Sequence, residues 1–139
     1  MTKDVCLRKW LRHNKRRRFA RGTFDCVMAA LDFVRYCTGK DPAEGWRGTY
    51  KTGKGAQEIL EKNFSGSLLL AMCSVLGDAQ PLGSNPSRGD IGVVFFAGRE
   101  VAGVRDKGCW WVPSTHGLVP IFDRDCGTIK FWRIDQCQI

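Results

Sequence analysis

Apolar residues recur at helical spacing in the first half of the chain and gather into short strand-like runs in the second half. The clearest helical stretch runs from about residue 25 to residue 36. Its apolar side chains fall on one face: Val27, Ala30, Leu31 and Val34. Thr23 or Asp25 can cap the start, and Gly39 stands where a left-handed residue ends many helices. We therefore predict a buried, capped helix here.

The same patterns predict further helices, and then strands. Helices are expected over residues 4–14, 55–62 and 67–76. The last of these is apolar nearly all round, so we expect it inside the core. After a turn-rich connection, strands are expected over residues 90–96, 101–104, 109–112, 118–122 and 129–134. This order predicts a single α+β domain over residues 1–139, with N-terminal helices packed on a C-terminal antiparallel sheet of about five strands.

Net positive charge is concentrated at the N-terminus. Residues 1–22 form a basic N-terminal helix and the run after it, with nine Lys or Arg and one acid, whereas the rest of the chain balances its charges. The cations expected to face a partner are Arg12, Lys15, Arg16, Arg17, Arg18 and Arg21. Such a block can bind nucleic acid, an anionic envelope or an acidic protein. No nucleic-acid recognition motif accompanies it, so we expect a protein partner and consider nucleic acid the less favoured one.

Composition narrows the class of protein. The chain has 43% apolar and 26% charged residues, as is typical of a globular domain. No apolar run approaches the roughly 20 residues of a membrane-spanning helix. The basic N-terminus also lacks the apolar stretch that follows it in a secretory signal. We therefore expect no membrane span and synthesis in a cytoplasm.

Two apparent ligand-binding patterns lack the context that their chemistry needs. Residues 48–55 nearly spell a phosphate-binding loop, but Gly55 replaces the hydroxyl that binds magnesium. The residues that could be imagined as metal ligands are Cys109, His116, Cys126 and Cys137. Their separations fit no common zinc site, and the seven cysteines include no C-x-x-C pair. We expect mostly buried, reduced thiols, no metal and no cofactor.

Cys26 is the candidate for nucleophilic chemistry. It falls in the first turn of the predicted helix, where the helix dipole favours a thiolate. The arginines before it are expected to lower the pKa of the thiol further. The alternative is a small residue in the first turn of a buried helix, because a nucleophile also needs a nearby base. His13 lies in the basic helix, which leaves His116 as the histidine available for that role.

Five segments occur in the order and spacing of a known family. They are Phe24-Asp25-Cys26, Thr38-Gly39-Lys40-Asp41-Pro42-Ala43, Arg47-Gly48-Thr49-Tyr50, the run from Arg88 to Phe96, and Trp132-Arg133. In this arrangement the chain resembles the NlpC-type cell-wall cysteine peptidases, and more closely a group of short bacteriophage proteins related to them. The resemblance covers nearly the whole chain and implies a papain-like, NlpC-type version of the α+β fold.

The resemblance also implies roles for particular positions. Cys26 takes the nucleophile's place, and the general base is expected at the start of the second strand, where Val101 stands after Glu100. The third, polar member is expected on the next strand, but residues 110–113 contain no His, Asn or Gln. We therefore keep His116 and Glu100 as weak catalytic candidates beside Cys26.

These departures favour a structural function. The resemblance implies a phage virion protein, associated with the tail or tail tip and with other tail proteins, assembled in the host cytoplasm, whose degenerate peptidase fold serves as an assembly component. One alternative is an active cysteine peptidase that cleaves peptidoglycan stem peptides. A second alternative is a basic nucleic-acid-binding accessory protein.

Overall fold

The computed structural model describes residues 2–134, which form four α-helices followed by a five-stranded antiparallel sheet. The helices are α1 (Lys3–Asn14), α2 (Cys26–Thr38), α3 (Gly53–Phe64) and α4 (Leu68–Leu76). The strands are β1 (Ile91–Phe96), β2 (Arg99–Asp106), β3 (Cys109–Ser114), β4 (Gly117–Phe122) and β5 (Gly127–Trp132). The predicted α+β order of helices and then strands is confirmed.

Each helix begins after a side chain that accepts a hydrogen bond from a backbone N–H group of the first turn. The four capping residues are Thr2, Asp25, Thr52 and Ser67. Of the two candidate caps for α2, the structure uses Asp25. The helix ends at Gly39, whose φ of 79° lies in the left-handed region, as predicted. Cys26 is therefore the first residue of α2.

Helix α2 is the centre of the helical layer. The buried Trp10 indole of α1 donates a hydrogen bond of 2.9 Å to the Asp32 carboxylate of α2. Trp10 also packs edge-on against Phe33, with ring centroids 5.5 Å apart. These contacts fix α1 across α2. Helix α4, which was expected inside the core, buries Leu68, Ala71 and Met72, whereas Leu70 on its other face is 50% exposed.

The strands form an open sheet in the order β4-β3-β2-β1-β5. Strands β1 to β4 form a meander of hairpins, and β5 returns to pair antiparallel with β1. Asp90, just before β1, is fully buried and accepts a hydrogen bond of 3.1 Å from Lys3 Nζ, which fastens α1 to the sheet.

Apolar side chains alternate between two clusters along the strands, as expected for the two faces of a sheet. The larger cluster packs under the helices. The second cluster consists of Val94, Val101, Trp110, Val112, Ile121 and Phe131. Trp110 fills its centre above the paired Gly92 and Gly103, and a Cβ at Gly92 would lie 2.4 Å from the indole ring. Cys26 contacts both clusters, so the start of α2 lies where the two apolar regions meet.

Candidate functional site

A cavity of about 600 Å³ opens beside the start of α2. The start of α2, the loop before α3, helices α3 and α4, and strands β2 and β3 all contribute to its walls. The walls are largely apolar, with aromatic side chains from Phe19, Trp46, Tyr50, Phe64 and Phe96. The charged and sulfhydryl groups that line it are Arg21, Asp25, Cys26, Arg99 and Glu100. A volume of this size, with few polar groups on apolar walls, is typical of a ligand-binding site.

The Asp25 carboxylate organises the side of the cavity next to Cys26. It is 3% exposed and accepts hydrogen bonds from the N–H of Met28 (2.9 Å), the N–H of Gly22 (2.9 Å) and the Tyr50 hydroxyl (2.6 Å). Burial, and then the hydrogen bond to Asp25, raises the pKa of Tyr50, so the phenol stays protonated as a donor. Asp25 therefore caps α2 and holds the preceding turn and the Tyr50 loop together.

The loop from residue 41 to residue 50 is folded by a paired arginine and carboxylate. Arg47 donates to Asp41 through Nε (2.9 Å) and a terminal nitrogen (3.0 Å), and this fork lowers the pKa of Asp41. The N–H of Gly48 donates 2.9 Å to the carbonyl of Gly22, which brings the loop against the turn before α2. Trp46 and Tyr50 of this loop line the cavity.

The thiol of Cys26 does not have the lowered pKa that the sequence suggested. Burial raises the pKa of Cys26 above its ordinary value. A hydrogen bond from the backbone of Ala102 and the charges of Arg99 and Arg21 act in the opposite direction, and burial prevails. The prediction of a lowered thiol pKa is therefore wrong, because burial of the sulfur outweighs the nearby arginines. The sulfur is held protonated against β2.

The start of α2 retains two backbone donors. Asp25 satisfies the N–H of Met28, whereas the N–H groups of Cys26 and Val27 have no hydrogen-bond partner among residues 2–134. Such groups at a helix start can stabilise a negatively charged oxygen. Both residues line the cavity. The two N–H groups are therefore available to an acceptor at the start of α2.

The side chains around the Cys26 sulfur do not include an imidazole among the described residues. Val101 lines the cavity and is 7% exposed, in the position where the family resemblance implies a general base. Glu100 lines the same cavity as Cys26. His116 lies in the exposed turn between β3 and β4, outside the cavity lining, where its N–H donates 3.1 Å to Ser114 Oγ. The structure thus brings Glu100 to Cys26's cavity and leaves His116 outside it.

A family model matches residues 2–134, and its description is a domain of unknown function, DUF6950. The chain belongs to the DUF6950 family. Searches among curated proteins and among solved structures find no significant match. Because the family match spans every helix and strand described above, the cavity and its thiol lie within the DUF6950 domain.

The predicted partner-facing cations of this DUF6950 chain lie away from the cavity, with one exception. Arg12, Lys15, Arg16, Arg17 and Arg18 are exposed on α1 and on the segment that follows it. Arg21 is half-buried, lines the cavity and packs its guanidinium 4.8 Å from the centre of the Phe19 ring. The basic residues thus divide into an outer surface and a single arginine at the thiol.

The other sequence patterns have structural explanations in the DUF6950 chain. The glycine-rich stretch at residues 48–55 is a loop whose Thr52 side chain caps α3, as expected for a loop before a helix. Within residues 2–134, no cluster of three or more His, Cys, Asp or Glu has the arrangement of a metal site. Cys137 lies outside the described residues. The free thiols of the described part are Cys26, Cys37, Cys73, Cys109 and Cys126.

No helix of the described part of the chain is by itself long and apolar enough to cross a membrane. Helices α3 and α4 reach that length and apolarity only as a pair, and the pair is bent by 68° at its junction. Both helices line the cavity.

Sequence reasoning missed the roles of Tyr50 and Arg99. Tyr50 donates a hydrogen bond to Asp25, 25 positions earlier in the chain. Arg99, at the start of β2, acts to lower the pKa of the Cys26 thiol through its positive charge. The Arg-Gly-Thr-Tyr segment signalled that Tyr50 mattered, without indicating its partner. Arg99 gave no signal, because nothing in the sequence around it distinguishes it from an ordinary surface cation.

Proposed function

We propose that this DUF6950 chain is an NlpC-type, papain-like domain that retains the nucleophile position but not the catalytic base, and that it acts as a structural component rather than as a hydrolase. The observation that carries the proposal is Val101. Val101 and Cys26 line the same cavity, which has no histidine among its lining residues, and Val101 stands at the position where the base is expected. A valine cannot accept the thiol proton or return it to a leaving amine.

The arrangement around α2 supports the papain-like part of the proposal. A cysteine begins a buried helix, the helix packs on the second strand of an antiparallel sheet, and Ala102 of that strand hydrogen-bonds the sulfur. The Asp before the cysteine is fixed by three hydrogen bonds. Each of these features agrees with what the family resemblance implies for a nucleophile.

The chemistry of the site supports a non-catalytic role. General acid–base catalysis contributes about 10²–10⁴-fold to the rate of such reactions. The residues that line the cavity include no histidine that could provide it. The raised pKa of Cys26 also argues against activation of the nucleophile by positive charge alone, since burial outweighs the charges of Arg99 and Arg21. The cavity and the free N–H groups remain, so the site can still hold a peptide segment of a neighbouring protein.

Association with a phage tail is the biological part of the proposal, and it rests on the resemblance to the short bacteriophage proteins. The proposed role is that of an assembly part where the tail meets the cell wall. The expected partners are other tail proteins. In a phage that carries this chain, the protein is expected in the purified tail fraction of the particles.

The lining of the cavity favours the peptidase alternative. Glu100 lines the same cavity as Cys26. The backbone N–H groups of Cys26 and Val27 have no hydrogen-bond partner among residues 2–134. In that mechanism the Cys26 sulfur attacks a peptide carbonyl, and Glu100 takes the thiol proton and passes it to the leaving amine. This alternative requires a thiol that ionises near neutral pH.

Incubation of the purified protein with peptidoglycan stem peptides tests whether it is a structural component or a cysteine peptidase. We expect no cleavage product above the level of a Cys26→Ala variant, and we expect phage particles with Cys26→Ala to assemble normally. Cys126→Ala is the matched control, since Cys126 is another half-buried thiol. Cleavage that is lost in Cys26→Ala and kept in Cys126→Ala would establish the peptidase.

A further inference from the structure

Seven cations of α1 and of the segment after it lie on the outer surface and have no acidic partner among residues 2–134. This basic surface consists of Arg8, Lys9, Arg12, Lys15, Arg16, Arg17 and Arg18. All seven are exposed. None of them forms an ion pair with an acid of residues 2–134, whereas Lys3 and six arginines elsewhere in the described structure form nine ion pairs. The protein's excess charge is therefore concentrated here and uncompensated.

The basic surface is built into the fold. The N–H of Phe19 donates 2.8 Å to the carbonyl of Ser114, and the N–H of Leu118 donates 2.9 Å to the carbonyl of Lys15. The Arg17 guanidinium packs 4.0 Å from the centre of the Phe24 ring. These contacts hold the segment after α1 against the turn between β3 and β4. The cations are thus presented on a fixed frame, which lowers the entropy lost on binding.

The chemistry of the surface favours a polyanion over a protein partner. Protein interfaces draw their affinity from buried aromatic and aliphatic anchors. The large apolar side chains that are exposed in the described structure are Leu70, Leu82, Phe95, Val119 and Phe122, and none belongs to residues 2–25. A surface of arginine and lysine alone gains its affinity from phosphate contacts and counterion release. This pattern is that of nucleic-acid backbone binding.

The same surface favours a double strand over a single strand. Single-strand binders stack bases on exposed aromatic rings. Here Trp10 and Phe24 are buried, and Phe19 is half-buried beside Arg21. Arg8 and Arg12 lie one turn apart on the outer face of α1, opposite its buried side. A helix of this kind fits the width of the major groove of B-DNA.

We propose that the basic surface binds double-stranded DNA through its phosphates, without reading the sequence. The inference does not depend on the proposed function, because the basic surface includes neither Cys26 nor any residue that lines the cavity. A Cys26→Ala variant is therefore expected to bind DNA as the unmodified protein does.

Fluorescence anisotropy with duplexes of about 30 base pairs in two unrelated sequences tests the proposal. We expect equal affinity for both duplexes, and a loss of about 10³-fold in affinity between about 50 and 200 mM salt, as for about six phosphate contacts. The salt slope is the slope of log affinity against log salt concentration. The triple variant Arg8→Gln, Arg12→Gln, Arg16→Gln is expected to make it shallower by about 3. Glutamine keeps the helix propensity at positions 8 and 12, position 16 lies after α1, and the circular dichroism spectrum checks the fold.

The matched control is the triple variant Lys51→Gln, Lys54→Gln, Lys62→Gln, which removes the same charge from exposed positions at and around α3. It is expected to leave the salt slope unchanged. Equal slopes for the two triple variants would overturn the proposal, because binding would then follow net charge alone. Binding to polyglutamate without binding to either duplex would also overturn it, in favour of an acidic protein partner.

Discussion

Replacing Trp110 with alanine is expected to lower the free energy of unfolding by about 3–5 kcal/mol, the range for removing a buried aromatic side chain. Trp110 is fully buried at the centre of the second cluster and lies across β1 and β2. Urea denaturation of the purified variant measures the change. Loss of the indole ring would leave a cavity that small neighbours such as Gly92 and Gly103 cannot fill.

The control for this prediction is Trp110→Phe. The indole Nε1 of Trp110 is buried and has no hydrogen-bond partner among the described residues, so removing it loses no hydrogen bond. The phenyl ring keeps much of the packing, and we expect a loss well below that of alanine. An equal loss in both variants would contradict the packing explanation.

Gly92 provides a second check on the same contact. A Cβ at this position would lie 2.4 Å from the Trp110 ring, so Gly92→Ala is expected to destabilise the protein. In the Trp110→Ala background the added methyl group has room, and the penalty is expected to shrink. A double-mutant cycle measures this coupling, and strict additivity would contradict it.

Replacing Val101 with histidine is expected to accelerate alkylation of Cys26 by iodoacetamide at pH 7 by about 10–100-fold. A histidine here would line the same cavity as the Cys26 sulfur. A thiolate–imidazolium pair formed there would lower the pKa of the thiol. The cavity next to Val101 gives the larger side chain room. Mass spectrometry of tryptic peptides measures the rate at Cys26 separately from the other thiols.

Val101→Leu is the control for this experiment, because it changes the size of the side chain without adding a base. We expect alkylation of Cys26 in Val101→Leu to stay close to the rate in the unmodified protein. No acceleration in a folded Val101→His variant, or the same acceleration in Val101→Leu, would contradict the assignment of position 101 to the missing base.

Local signals in the sequence were sufficient for the secondary structure. The apolar spacing after Asp25, its capping carboxylate and Gly39 predicted α2, and the structure places Cys26 in the first turn as expected. Turn residues and alternating apolar runs likewise predicted five strands. These features depend on neighbours within a few positions, which the sequence displays directly.

Properties that depend on distant contacts were not predictable in this way. The direction of the Cys26 pKa shift follows from burial against β2, and proximity to arginines in the sequence indicated the opposite direction. The exposure of Leu70 depends on which face of α4 meets the core. The hydrogen bond from Tyr50 to Asp25 and the packing of Trp110 against Gly92 each involve residues far apart in the chain. In each case tertiary packing decides the outcome.

The pH dependence of Cys26 alkylation in the unmodified protein tests whether Cys26 is a thiol of raised pKa without a catalytic base. Since only the thiolate reacts and burial raises the pKa of Cys26, we predict slow labelling near pH 7 and a rate that keeps rising beyond the ordinary thiol pKa of about 8.5. A rate at Cys26 that is already maximal near pH 7 would contradict this prediction, because it would require a thiolate stabilised by a base, and the cavity lining includes no histidine.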